Sequence, residues 1–452
     1  MRNTAIRGTG AAAGALILAL ALAGCGGTHH TVPERPSPTG AQDESGDDTG
    51  ADAADSGGTL GALNTALLKQ DKDKFVRAFG PQLQAKAQEW WTNMKSLGMT
   101  TGGADSGSGD LAAASGSGEV RIGVHTSYDP VDVHGNPDLT LARYAVTISD
   151  GKITGWDPTT YQGPWDEGPL YVRRGPHLAL AAPAADRAAV DSYFDDAQTA
   201  ADWNVKMMRK FAPKLLVQKG FVAFLATNTS HFNSWFRAPN SGAGASGVRE
   251  ADGSSFSLPS VRLSESESGG KKFGRDSVGG ARVVLSSEVA GGHARVARVS
   301  SHEFAHSLMS SFGIIDVQQD KWVTEGFARW WDTSFTQRNG GNGNSYPHSD
   351  TGADIRSIVR SGRFGAKPPK NSEFASLANA GPAYDYASSV YEFITERVGV
   401  NAAMVACARA YDEGRDPFAF VPKKIKPNGD AELYPASQMR QEWRSWQKKI
   451  YG

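Results

Sequence analysis

Cysteine is nearly absent. The 452-residue chain has two, Cys25 and Cys407, so no disulfide framework can hold it together. A charge excess of either sign is also absent. Lys plus Arg number 47 and Asp plus Glu 48, for a formal net charge of −1, which removes the electrostatic case for a nucleic-acid partner. The apolar run Ala11–Ala23 is too short and too rich in Ala and Gly for a permanent membrane helix. No internal repeat is present. Residues 26–57 lack large apolar side chains almost entirely and are rich in Pro, Gly, Asp, Ser and Thr. Such a segment cannot bury enough surface to order itself and reads as a flexible spacer.

What is present starts with a targeting segment. Arg2 and Arg7 precede the apolar run, as in an export signal. The run ends in Leu22-Ala23-Gly24-Cys25, which resembles a bacterial lipobox. The resemblance implies cleavage before Cys25, a lipid on its sulfur, and retention on the outer face of the cytoplasmic membrane. The alternative is a plain secretory signal with an incidental cysteine. Cys407 lies in a small-residue helical run and is expected to be a buried, inert thiol.

Eleven Trp and nineteen Phe supply material for packed cores, and the length points to two domains. Residues 58–167 read as helices followed by strands, a small α+β domain resembling the cone-shaped fold typified by nuclear transport factor 2. In it, 102–118 reads as a loop. Residues 168–452 read as a mixed sheet followed by a helical half. There, 238–256 and 264–280 are expected as loops flanking a short strand at Val261–Leu263. Ala281–Ser287 is expected as a strand at the sheet edge.

The chemistry concentrates in two strings, HEFAH at 302–306 and WVTEGFARWW at 322–331. On a helix His302 and His306 project from one face, while Glu303 points about 100° away from His302. Two imidazoles with a carboxylate beside them suit a hydrolytic metal. A catalytic zinc takes three protein ligands, and Glu325 is the natural third. The 18 residues after His306 suffice for a turn and a returning helix, with Thr324 a good N-cap for it.

These motifs resemble the gluzincin signature of the M1 aminopeptidase clan, whose second motif commonly reads Trp-Leu-Asn-Glu-Gly-Phe-Ala. The resemblance implies a thermolysin-like fold for 168–452, zinc on His302, His306 and Glu325, and Glu303 as general base. No Met-Glu-Asn, the amine-anchoring motif of M1 aminopeptidases, occurs in the chain. That moves the expectation to the broader peptidase MA-like gluzincins acting on peptides or proteins. Their oxyanion donor is commonly a Tyr or His of the helical half. Tyr386 is favoured here, with Tyr384 and His348 as alternatives and a purely structural tyrosine equally open. His293 could line the cleft. The competing functional expectation is a non-catalytic zinc-containing binding or sensor lipoprotein.

Overall fold

The computed structural model describes residues 58–452, apart from 110–114, 132–135, 213–217, 238–252, 266–270, 274–276, 287–291, 311–318, 341–351, 366, 375–379 and 426–430. Cys25 and the spacer 26–57 lie outside the described residues. Among the described residues no helix is long and apolar enough to cross a membrane.

The chain opens with helices α1 (Thr59–Lys69), α2 (Lys72–Arg77) and α3 (Gln84–Ser96). An antiparallel meander follows, made of β1 (Met99–Gly109), β2 (Gly116–Thr126), β3 (Asp138–Ser149) and β4 (Lys152–Pro158). Next come β5 (Leu170–Arg174), β6 (Leu178–Pro183), the 25-residue α4 (Arg187–Phe211), β7 (Phe221–Leu225) and the short α5 (Thr229–Ser234). Strands β8 (Gly253–Glu265), β9 (Lys271–Phe273) and β10 (Ser277–Leu285) complete the sheet. The rest is helical: α6 (His293–Ser310), α7 (Lys321–Gly340), α8 (Gly352–Ser361), α9 (Asn371–Phe374), α10 (Ala380–Val398), α11 (Val400–Glu413) and α12 (Ala436–Tyr451), with a small hairpin at 422–433.

The protein is α+β, as its composition of elements suggested, but its two halves share one sheet. The order is β1-β2-β3-β8-β10-β7-β6-β5, with β4 on β3 and β9 on β8. Strand β3 pairs with β8 through Asp138↔Arg262, Leu139↔Val261 and Thr140↔Ser260, so hydrogen bonding runs straight across the expected boundary at 167/168. Two loop expectations change with it. The stretch from 102 belongs largely to β1, and the Ser/Gly-rich 253–265 is a 13-residue strand. Residues 102–109 and 253–260 lack the β-branched residues that mark strands and owe their conformation to their neighbours, while 261–263 is strand as expected.

Alternation along the strands separates two cores. Leu178, Leu180, Ala223, Val283 and Leu285 face α4, α6 and the helical half. Ala179, Ala181, Phe224, Val284 and Phe256 face α3 and its neighbours. Between them Arg282 is buried in an ion pair with Asp129, at 2.6 and 3.0 Å. Burial would raise the Asp129 pKa, but the Arg282 guanidinium holds it below the ordinary value. Strand β10 is thus an interior strand, not the expected edge, and Arg282 cannot serve a ligand. Gly326 sets the closest helix approach: a Cβ there would lie 2.8 Å from the Ala387 carbonyl oxygen, so α7 and α10 meet backbone to backbone.

The core against α3 also contains a titratable cluster. Trp90 Nε1 donates to the Tyr144 hydroxyl at 3.1 Å, Tyr144 donates to Asp166 at 3.0 Å, and the Gly163 N–H donates to Asp166 at 3.1 Å. Burial pushes the Asp166 carboxyl up to about 7 despite those bonds. The unfolded carboxyl ionises near 3.9, so the folded state holds an extra proton between about pH 4 and 7. Its contribution to stability is therefore full below about pH 4 and lost as pH rises to 7. Asp166 keeps a partly exposed edge, which halves the full linkage. Asp166→Asn should gain about 1 kcal/mol relative to the unsubstituted protein between pH 5 and pH 8. Urea melts at the two pH values measure this, and an unchanged difference would refute the assignment.

Candidate metal centre

Helix α6 lies against the sheet through Phe304, which stacks on Phe221 of β7 with ring centroids 4.1 Å apart, and through buried Leu308. Asn204 of α4 knits the next layer. Its Nδ2 donates to Ser301 at 3.1 Å, and its Oδ1 accepts from Trp331 of α7 at 2.7 Å. These contacts fix the mutual position of α6 and α7. Helix α7 starts at Lys321, so Thr324 is not its cap; the Thr324 hydroxyl bonds back to the Lys321 carbonyl oxygen at 3.3 Å.

The two helices bring three donor atoms together. His302 Nε2 and His306 Nε2 are 3.3 Å apart, and Glu325 Oε2 lies 3.3 and 3.2 Å from them. A tetrahedral ion with ligand bonds of about 2.0–2.1 Å needs donor atoms about 3.3 Å apart, so the triangle fits zinc. Glu325 is 4% exposed, and burial alone would raise its pKa. The two imidazoles outweigh that and hold the carboxylate well below its usual range. Among the described residues no fourth His, Cys, Asp or Glu joins the group.

A second layer, not anticipated from the sequence, orients the first. His302 Nδ1 lies 2.9 Å from Asp332 Oδ2. Burial opposes ionisation of Asp332, but Arg329 and His302 keep its pKa below the ordinary value. An ionised carboxylate only accepts, so it draws the imidazole proton to Nδ1 and leaves Nε2 with a lone pair for a metal. Arg329 reaches Asp332 at 3.4 Å and Asp385 of α10 at 2.8 Å, tying the ligand helices to α10. Asp332 follows Glu325 by two helical turns and shares its face, so the spacing alone could have suggested it. Asp332→Ala should weaken zinc binding about 10- to 100-fold, read by competition with a chromophoric chelator. An affinity within about twofold of the unsubstituted protein would remove Asp332 from this role.

Glu303 is 1% exposed and faces β8. A Cβ at Gly253 would stand 2.8 Å from Glu303 Cγ and 3.0 Å from its Oε1, so only glycine lets the strand come this close. Gly253 carried no sequence signal, since it sits in a Gly/Ser-rich stretch. On the side away from β10, residues 253–259 have no strand partner among the described residues.

The tyrosines are placed differently from expectation. Tyr386 donates to Gln447 of α12 at 3.0 Å, packs on Phe364 and Trp443, and has its phenol pushed up to about 12 by burial. It is Tyr384 whose ring centroid lies 6.1 Å from that of His302, braced by Phe374 at 5.2 Å. His293 is on the surface, 2.6 Å from Asp196. His348 lies outside the described residues. Cys407 is fully buried, and burial pushes its thiol pKa upward, as an inert thiol requires.

No family model and no curated protein matches the chain. Among solved structures it shows a faint likeness to a two-domain M1 zinc metallopeptidase crystallised as a mutant with L-tryptophan bound, at a TM-score of 0.30 and 12% identity. The alignment covers 73% of this chain and spans 61% of the length of that one.

Proposed function

We propose that the chain is a zinc-dependent metallopeptidase working outside the cytoplasm, tethered to the outer face of the cytoplasmic membrane by lipid on Cys25. One observation carries the reading. Two imidazole nitrogens and a carboxylate oxygen converge at 3.2–3.3 Å, with a buried carboxylate, Glu303, next to the first ligand in the chain. A structural zinc commonly has four protein ligands, whereas three leave a position for chemistry.

Zinc held by His302, His306 and Glu325 supplies a Lewis acid that lowers the pKa of a water toward neutrality. Glu303 removes a proton as the water oxygen bonds to the peptide carbonyl carbon, then delivers it to the amine as the C–N bond breaks. Tyr384, beside His302, donates to the oxygen on which negative charge develops. Asp332 holds the His302 tautomer, and Arg329 holds Asp332. The edge of β8 at 253–259, unpaired among the described residues, can align an extended peptide by strand addition next to Glu303. The test is metal content together with cleavage of a diverse peptide library by the purified protein. Stoichiometric zinc and cleavage that chelator abolishes and added zinc restores are expected. Folded protein without zinc would refute the metal site. Zinc without cleavage would leave a binding protein.

A further inference from the structure

A cavity of about 790 Å³ lies behind the first turn of α7. Val323 lines it, and Glu325, two residues later, points roughly 200° around the helix, so α7 itself separates the cavity from the donor triad. Its walls come from the start of α7, residues 367–372, the turn after α11, and α12.

The lining is electrically unbalanced. Lys367, Lys370, Arg415, Arg440 and Arg444 stand against two carboxylates, Asp320 and Asp416. Asp416 is already engaged by Arg440 at 2.7 Å, and Arg415 has Glu413 at 3.4 Å. Lys367, Lys370 and Arg444 make no ion pair among the described residues. Arg440 and Arg444 are one turn apart on one face of α12. A concave site that gathers such charges raises the local concentration of anions. The volume falls within the range of pockets that enclose small ligands.

We infer that this cavity binds a compact oligoanion carrying several phosphate or carboxylate groups, independently of the metal centre. Guanidinium groups suit the planar face of either anion, and the lysines add point charge. Two probes separate the sources: tripolyphosphate and a tetraglutamate peptide, titrated calorimetrically into the intact protein at about 100 mM sodium chloride. At least one should bind at one site per chain, with Kd below about 100 µM. The double substitution K370A/R444A, at two exposed positions, should weaken it at least about tenfold. Binding should survive both E325Q, which cripples the metal triad, and K448A/K449A, which removes two α12 lysines outside the cavity. Tripolyphosphate alone binding would identify a phosphate ligand, and tetraglutamate alone an acidic peptide. The inference is overturned by no binding of either probe at about 1 mM, by equal loss in K448A/K449A, or by loss in E325Q.

Discussion

Glu303→Gln should leave zinc bound and lower peptide hydrolysis by about 10³- to 10⁴-fold, the upper range for removing a general base. Glutamine matches glutamate in shape, and the side chain sits close against Gly253. The substitution should therefore keep the packing and remove only the proton acceptor. The three donor atoms belong to other residues, so metal stoichiometry and melting temperature should hold. Metal analysis, melting and steady-state kinetics on one preparation make the comparison. If the substituted protein keeps more than about a tenth of the activity, Glu303 is not the base.

Tyr384 and Tyr386 give the second large contrast. Losing an oxyanion donor costs about 10²- to 10³-fold in turnover, so Tyr384→Phe should fall by that much in kcat with zinc retained. Tyr386→Phe should leave turnover within a fewfold and cost about 1 kcal/mol of stability, because its hydroxyl bonds Gln447 inside the α10–α12 contact. Reversed outcomes would return the role to Tyr386. Both substitutions keep the ring, so the stacking contacts of each tyrosine serve as its own packing control.

This contrast marks where sequence reading reaches its limit. That 383–398 is a helix bearing tyrosines was legible from the sequence, three residues short of its start in the structure. Which tyrosine lies beside His302 was not, because residues two apart differ by about 200° in direction and tertiary packing chooses the face. Here the choice is made by Gly326 against Ala387 and by Arg329 against Asp385, contacts between segments 56 or more residues apart. His302, His306, Glu303 and Glu325 were legible because helix geometry converts short spacings directly into a shared face. The first part of strand β8, before the expected 261–263, was illegible for the opposite reason. Gly253, Ser254 and Ser255 have no strand preference of their own, and β10 imposes their conformation through long-range pairing. The shared sheet escaped for the same reason, since a composition break at 167 says nothing about whether strands on either side will pair.

That shared sheet bears on how the chain can be shortened. A polypeptide beginning at residue 168 would keep all three donor residues and Glu303, yet lose β3 from the flank of β8 and Asp129 from Arg282. Stranding one member of a buried ion pair costs about 3–5 kcal/mol, much of the margin on which a protein of ordinary stability rests. Residues 58–167 are thus no detachable accessory. They form the abutment that keeps Gly253 pressed on Glu303, and heat should melt both halves in a single cooperative transition.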